Sequence, residues 1–241
     1  MSKYTAYIMI GMARILGGMS LLVFIIFLFA GSLNLLDMHL DESEVLWLDA
    51  GLSLLFFIQH SGMIRKPFHC RLARLIREEY AGAIYAIASG IVLLLVILLW
   101  QTSTQTIITP SGFLRWSLRA IFFFSLLGFY WGIKSLRFFD PFGLGPIFNR
   151  LQGRNPTPMP FTVAGPYCWV RHPFYLFMIM MIWSCPDLTM DRLLFNLLWT
   201  VWIVIGSYFE EIDLIVEFGE AYREYQKKVP MIVPLVKWPK K

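Results

Sequence analysis

Ile15–Leu36, ILGGMSLLVFIIFLFAGSLNLL, contains no ionisable side chain. A helix needs roughly 20 apolar residues to cross the hydrocarbon layer of a bilayer, and this stretch supplies them. It exceeds the core of a secretory signal and no small-residue cleavage pattern follows it, so it is expected to remain as a span. Further spans follow along the chain. Val45–Ile64 is interrupted only by Asp49, and Tyr80–Trp100 is uncharged throughout. Phe113–Ile133 carries Arg115 and Arg119 near its start, where both can snorkel to headgroups. A last apolar block, Pro173–Phe209, is broken near Cys185–Arg192 by a Pro-Asp turn and three charges. Its arms, Pro173–Cys185 and Leu193–Phe209, are short and read as a tight helical hairpin. The expected fold is an all-α integral membrane protein of five or six transmembrane helices.

Composition agrees. Hydrophobic residues make up 57% of the 241, charged residues 15% and aromatics 17%, where a soluble chain is about 45–50% apolar and about 25% charged. Disorder is excluded by this hydrophobicity. Cys70, Cys168 and Cys185 are odd in number and lack CxxC spacing, which argues against a disulfide scaffold or a structural zinc site. The net charge of +5 is explained by membrane orientation rather than by nucleic acid. Lys3 and Arg14 precede the first span, and the next loop holds Asp37, Asp41, Glu42 and Glu44 with no Lys or Arg. Arg65, Lys66, Arg71, Arg74 and Arg77 fill the following loop, and Gln101–Gly112 has no charge. Basic residues return between Lys134 and Arg171 and again beyond Phe209. The alternation predicts basic segments and both termini in the cytoplasm, in a bacterial-type inner membrane.

Residues 1–133 form the expected N-terminal membrane part, and 134–241 the region where chemistry is expected. There, the segment Lys134–His172 and the tail Glu210–Lys241 flank the hairpin and can meet at its cytoplasmic mouth. In Gly165-Pro-Tyr-Cys-Trp-Val-Arg-His-Pro-Phe-Tyr175, Pro173 suits the first turn of a helix, which places His172 just outside it. A helix N-terminus beside Arg171 can receive a carboxylate or phosphate; the plainer role for both residues is anchorage at headgroups. In the tail, Ile212, Ile215, Val216, Gly219 and Tyr222 recur at helical spacing. Glu210, Asp213, Glu217, Glu220 and Glu224 form a separate acidic stripe, read mostly as a solvated face. Glu210 and Glu211 stand apart because a carboxylate at the membrane edge needs a partner, and helical spacing alone does not choose between them. Gln59-His60-Ser61 and Asp49 are polar groups within spans. His60 can take a proton from a thiol, although hydrogen bonding between helices is the more ordinary role. No GxGxxG, P-loop, HExxH or G-x-S-x-G motif is present, nor any Cys/His cluster that would hold a metal.

Five elements in order resemble the isoprenylcysteine carboxyl methyltransferase-like superfamily of membrane methyltransferases. They are Gly165-x-Tyr167, Arg171-His-Pro-Phe-Tyr175, Glu210-Glu211, Phe218-Gly219 with Tyr222 and Tyr225, and Val229-Pro230. A narrower likeness, to the bacterial methanethiol S-methyltransferase group, rests on Gln59-His-Ser61, Phe139-Asp-Pro-Phe-Gly-Leu144 and Pro158-Met-Pro-Phe161. Trp183-Ser-Cys-Pro-Asp-Leu-Thr189, Leu193-Leu-Phe195 and Val229-Pro-Met231 extend it. The resemblance implies S-adenosylmethionine as cofactor, held by Gln152, Met159, Pro160, Phe161, Thr162, Tyr167, His172, Pro173, Phe174, Tyr175 and Glu210, with Glu211 beside it. Arg171, His172 and Tyr175 are the expected catalytic residues, with Arg171 and the helix start receiving the donor's carboxylate, and His60 is the expected substrate residue. His60 and His172 are both candidates for the base. Prenylcysteine enzymes carry an Arg four residues before the acidic contact, where this chain has Gly206, so a small thiol such as methanethiol, entering from the bilayer, is the expected acceptor. Neither metal nor nucleic acid is implied. The alternatives are a methyltransferase for a lipid or other acceptor, an NADPH-dependent membrane reductase and a non-catalytic accessory membrane protein.

Overall fold

The computed structural model describes residues 3–65, 68, 72, 76–136, 138–154 and 161–234. Its described helices are α1 (Lys3–Ala30), α2 (Glu42–Ile64), α3 (Ala81–Leu99), α4 (Gly112–Ser135), α5 (Gly145–Leu151), α6 (Pro173–Ile182), α7 (Met190–Phe218) and α8 (Glu220–Lys228). The β-structure among the described residues is Thr106–Ile108, paired with the short strand that begins at Leu188. Five helical stretches are long and apolar enough to cross a membrane: α1, α2, Glu78–Leu99, α4 and α7. Their outer faces are apolar as well: Phe113, Trp47, Trp116 and Ile58 are all more than 70% exposed. Large apolar side chains turned outward in this way suit lipid, not water. The expected all-α membrane fold is borne out.

Two boundaries differ from the sequence reading. The first span is Lys3–Ala30 and not Ile15–Leu36. Gly31, at φ +94, ends the helix. Arg14 lies inside it because its guanidinium sits 5.5 Å from the centre of the Phe148 ring, a cation–π contact that hydropathy does not register. The final hairpin is unequal. α6 has only 10 residues, whereas α7 has 29 and runs through Glu210 and Glu211 to Phe218. Charged residues that looked like the end of an apolar arm continue the same helix, and the break comes at Gly219, at φ +58.

The chain divides into two compact units that cut it elsewhere than at residue 133. The first comprises Met1–Gln105, Asp140–Pro158 and Thr189–Phe195. Within it, α1 carries a π-helical turn at Ala13–Gly17. That turn approaches α3 so closely that a Cβ on Gly90 would stand 2.9 Å from the Leu16 carbonyl oxygen. The Asp-Pro-Phe-Gly-Leu loop packs in the same manner, with Gly143 against Gly82. Asp140 accepts hydrogen bonds from the Leu144 and Gly145 amides and so starts α5. Arg192, 3% exposed, donates to the Phe27 and Leu28 carbonyls at the end of α1, where a cation complements the helix dipole. Asp191 accepts from the Trp100 indole and the Ser103 amide.

The second unit comprises Thr106–Phe139, Met159–Leu188 and Asn196–Lys241. Its centre is the antiparallel packing of α6 on α4. Glycines on α4 receive aromatic rings from α6: Gly132 faces Phe174 and Gly128 faces Phe177. Beyond α6, Asp187 forms a two-pronged ion pair with Arg115 at 2.7 and 2.8 Å, near the opposite end of α4. That guanidinium holds the Asp187 carboxyl below its ordinary range.

Candidate active site

The second unit encloses a cavity of about 420 Å³, within the size range of small-ligand sites. Its walls come from the end of α4, the segment 161–175, the last two turns of α7 and α8. Tyr167 and Glu210 line the same cavity, so the chain before α6 and the chain after it do converge.

The opening of α6 borders this space. Pro173 occupies the first turn and His172 the N-cap, as its sequence spacing predicts. His172 is 6% exposed and stacks on Tyr175 with ring centroids 5.4 Å apart. Its Nε2 lies 3.2 Å from a Glu211 carboxylate oxygen and its Nδ1 3.7 Å from Glu210. The Tyr175 hydroxyl donates to Glu210 at 2.6 Å.

Arg171, expected to receive a ligand's anion, is otherwise engaged. Its Nη2 donates to Glu211 at 2.9 Å, its Nε donates to the other oxygen of the same carboxylate, and Nη1 donates to the Val229 and Gln226 carbonyls. Tyr222 and Gln226 also donate to Glu211, at 3.3 and 2.9 Å. Glu211 is therefore the inner, neutralised carboxylate, and Glu210 the one presented to the cavity. The backbone extends this network: the Arg171 amide donates to the Pro230 carbonyl at 2.9 Å and the His172 amide to that of Met231 at 3.0 Å. This cluster is satisfied by groups at the N-cap of α6, on α7 and α8 and in the segment behind α8, as a buried ion pair requires.

Aromatic rings form the remaining wall. Phe161 meets Phe218, Tyr222 and Tyr225 at centroid distances of 5.3, 5.8 and 5.5 Å. The Tyr225 hydroxyl donates to the Tyr167 carbonyl. Burial and the nearby Glu210 charge push the Tyr167 phenol up to about 12, and burial pushes those of Tyr222 and Tyr225 upward too. All three present neutral rings.

Apart from Glu211, which pairs with Arg171 and does not line the cavity, the expected site residues fall into three groups. Phe161, Thr162, Tyr167, Arg171, His172, Pro173, Phe174, Tyr175 and Glu210 line the cavity. Met159 and Pro160 lie outside the described residues. Gln152 and His60 belong to the first unit, Gln152 exposed just beyond α5 and His60 on α2 with its Nε2 2.8 Å from the Tyr85 hydroxyl. Sequence reasoning missed Ser135, Leu136, Phe138, Leu214 and Glu217, all of which line the cavity. Glu217, on the stripe read as a solvated face, is exposed and also borders the cavity. The apolar face read through Ile212, Val216 and Tyr222 also fails: Ile212 and Val216 are exposed while Tyr222 is buried, because Gly219 breaks the helix and resets the register. Gly206 leaves open space, with no atom within 4 Å of where a Cβ would stand. No metal-binding cluster occurs among the described residues.

No family model and no solved structure matches the chain. Curated proteins do. A methanethiol S-methyltransferase of Crocosphaera subtropica is 32% identical over 212 residues, which cover 83% of this chain and 80% of that enzyme. One from a Pseudomonas species is 38% identical over 194 residues, 77% of this chain and 72% of that enzyme. The protein-S-isoprenylcysteine O-methyltransferase of Xenopus laevis is 33% identical over 102 residues, 39% of this chain and 34% of that enzyme. Relatives matched along most of their own length, on a chain whose apolar helices suit a bilayer, give one conclusion: the protein belongs to the methanethiol S-methyltransferase family of integral-membrane methyltransferases.

Proposed function

We propose that the protein transfers a methyl group from S-adenosylmethionine to the sulfur of a small thiol, methanethiol in the first instance, forming dimethyl sulfide. The observation that carries this reading is the cavity's charge and wall chemistry. Arg171 and Glu211 cancel, which leaves Glu210 among aromatic rings at a helix start, with the exposed Glu217 further along the α7 wall. Such a site suits a ligand that is cationic at two places and anionic at one. Glu210 pairs with the donor's ammonium or ribose, the first turn of α6 takes its carboxylate, and the faces of Tyr167 and Tyr175 attract the sulfonium. The residues present therefore fit this cofactor, which when bound supplies an activated methyl group. Arg171 serves as a positioning residue: it holds Glu211 and the chain beyond α8 in place.

The protein's contribution is alignment and exclusion of water, worth up to about 7–11 kcal/mol where alignment is ideal. His172 is the histidine within the cavity and the proposed acceptor of the thiol proton, with a carboxylate on either side to pair with the ring once it is charged. An apolar, volatile acceptor suits entry from the bilayer, and Gly206 cannot offer the cation that a prenylcysteine carboxylate would need. Residues 1–133 and 134–241 are retained as membrane and catalytic regions in this reading. The protein is assigned to a bacterial inner membrane with both termini in the cytoplasm.

Cells carrying the gene and supplied with methanethiol are expected to release dimethyl sulfide into the headspace. Purified protein is expected to bind S-adenosylhomocysteine and not NADPH in isothermal titration. Binding of NADPH alone would overturn the methyltransferase reading, and cofactor binding without dimethyl sulfide would overturn the acceptor.

A further inference from the structure

Both nitrogens of the His172 ring stand near carboxylates, but not in the same way. Nε2 is 3.2 Å from Glu211, within hydrogen-bonding distance, whereas Nδ1 is 3.7 Å from Glu210, beyond it. The other side chains that reach Glu211 are donors: Arg171 through two nitrogens, Tyr222 and Gln226. A carboxylate paired at both oxygens with a guanidinium carries no proton and only accepts. The hydrogen between Glu211 and His172 therefore sits on Nε2. A neutral imidazole has a single N–H, so Nδ1 keeps its lone pair. Nδ1 makes no capping bond to the first turn of α6, and Glu210 is engaged by the Tyr175 hydroxyl. His172, Tyr175 and Glu210 line the cavity, whereas Glu211 does not. The bare nitrogen thus lies on the side of the ring that faces the cavity's own carboxylate.

Resting on the reading that His172 takes the thiol's proton, we propose that Glu211 is a positioning residue that fixes the His172 tautomer and so makes Nδ1 the base. Nδ1 takes the proton of the thiol S–H, and the electron pair left on that sulfur forms the new S–C bond. The donor's S–CH3 bond breaks with both electrons kept by its sulfur, and Nδ1 then passes the proton to solvent. A hydrogen bond at one imidazole nitrogen decides which nitrogen is left to act as base. Glu211 keeps the ring from presenting an N–H to the acceptor, and it goes on accepting from Nε2 when the ring is charged, as a buried carboxylate behind a catalytic imidazole does. Arg171, Tyr222 and Gln226 hold that carboxylate still, and Glu210 faces the second N–H while it exists.

Magnetic resonance of the full-length protein in nanodiscs, with nitrogen-labelled histidine, reads the tautomer directly. At a pH where the ring is neutral, the His172 signals, identified by their loss in His172→Gln, are expected to show hydrogen on Nε2 and none on Nδ1. Tyr222→Phe removes one donor to Glu211 but keeps its charge, and should leave that pattern in place. Glu211→Gln should mix the two tautomers. With saturating donor, Glu211→Gln is also expected to lower kcat for methanethiol roughly ten- to a hundredfold at neutral pH. That deficit should shrink at least about fivefold as the pH rises and the acceptor arrives already as thiolate, whereas a merely structural loss would stay constant. Hydrogen on Nδ1 in the unaltered protein, or a deficit that does not change with pH, would overturn the role of Glu211 and leave the methyl transfer standing. Should Glu211→Gln not fold, the signals of the unaltered protein still decide. If the unaltered protein forms no dimethyl sulfide, the methyl-transfer reading fails and this inference fails with it.

Discussion

Arg171 shows how one side chain holds several segments together. Its planar fork reaches Glu211 with two nitrogens and two backbone carbonyls with the third. Lysine carries the same charge but is a point donor without that fork. Arg171→Lys is therefore expected to leave at least one carbonyl and part of the Glu211 carboxylate unsatisfied. A loss of about 2–3 kcal/mol follows, read as a lower thermal midpoint in detergent with donor affinity falling in parallel. If the midpoint is unchanged, Arg171 does not hold the tail. This partnership was not legible in the sequence, where Arg171 and Glu211 are forty residues apart. Spacing put a cation beside a helix start and acids beside a membrane edge, but it could not show that two of them neutralise each other. For the same reason nothing in the stripe Glu210, Asp213, Glu217, Glu220, Glu224 distinguishes the members that border a cavity, Glu210 and the exposed Glu217.

At the level of elements, the glycines of α4 set how closely α6 can approach. A Cβ on Gly132 would stand 2.5 Å from the Phe174 ring, and Phe174 also stacks on Phe129 at 5.5 Å, nearly parallel at 9°. Gly132→Ala must displace that ring or separate the helices, at a cost of about 1–3 kcal/mol. Because Phe174 lines the cavity, the variant is expected to lose donor affinity as well as stability. Titration beside a thermal melt checks both, and unchanged affinity would separate the helix contact from the site. Hydropathy located α2, Glu78–Leu99 and α4 to within about three residues, because an uncharged run of sufficient length has few alternatives in a bilayer. Ends were less legible. α1 stops at a backbone conformation that suits Gly31, and α7 continues past acids that a cavity and an arginine accommodate.

For the whole molecule, the short α6 bears on topology. Ten residues are too few to cross the hydrocarbon layer as helix. Even so, the segment from Phe174 to Asp187 follows α4 from Gly132 to Arg115. Seventeen helical residues cover about 25 Å, close to the thickness of the apolar layer. The segment therefore runs beside most of α4, and a passage made there with partly non-helical backbone would be shielded by α4, as irregular backbone at that depth must be. Six passages would return the tail to the starting side, as the proposed orientation requires. Reporter fusions at the two ends should both indicate the cytoplasm. An exported C-terminal reporter would mean that the segment through Asp187 turns back.

The amide pairing of Arg171 and His172 with Pro230 and Met231 has a consequence for biosynthesis. Chains emerge from the ribosome in order and fold as they appear, so the membrane helices are inserted before residues 229–231 are available. The chain at Arg171 and His172, which borders the proposed donor pocket, is not held by these bonds until those late residues dock. A nascent chain, or one clipped ahead of Val229, should sit in the bilayer with its helices in place and remain catalytically silent.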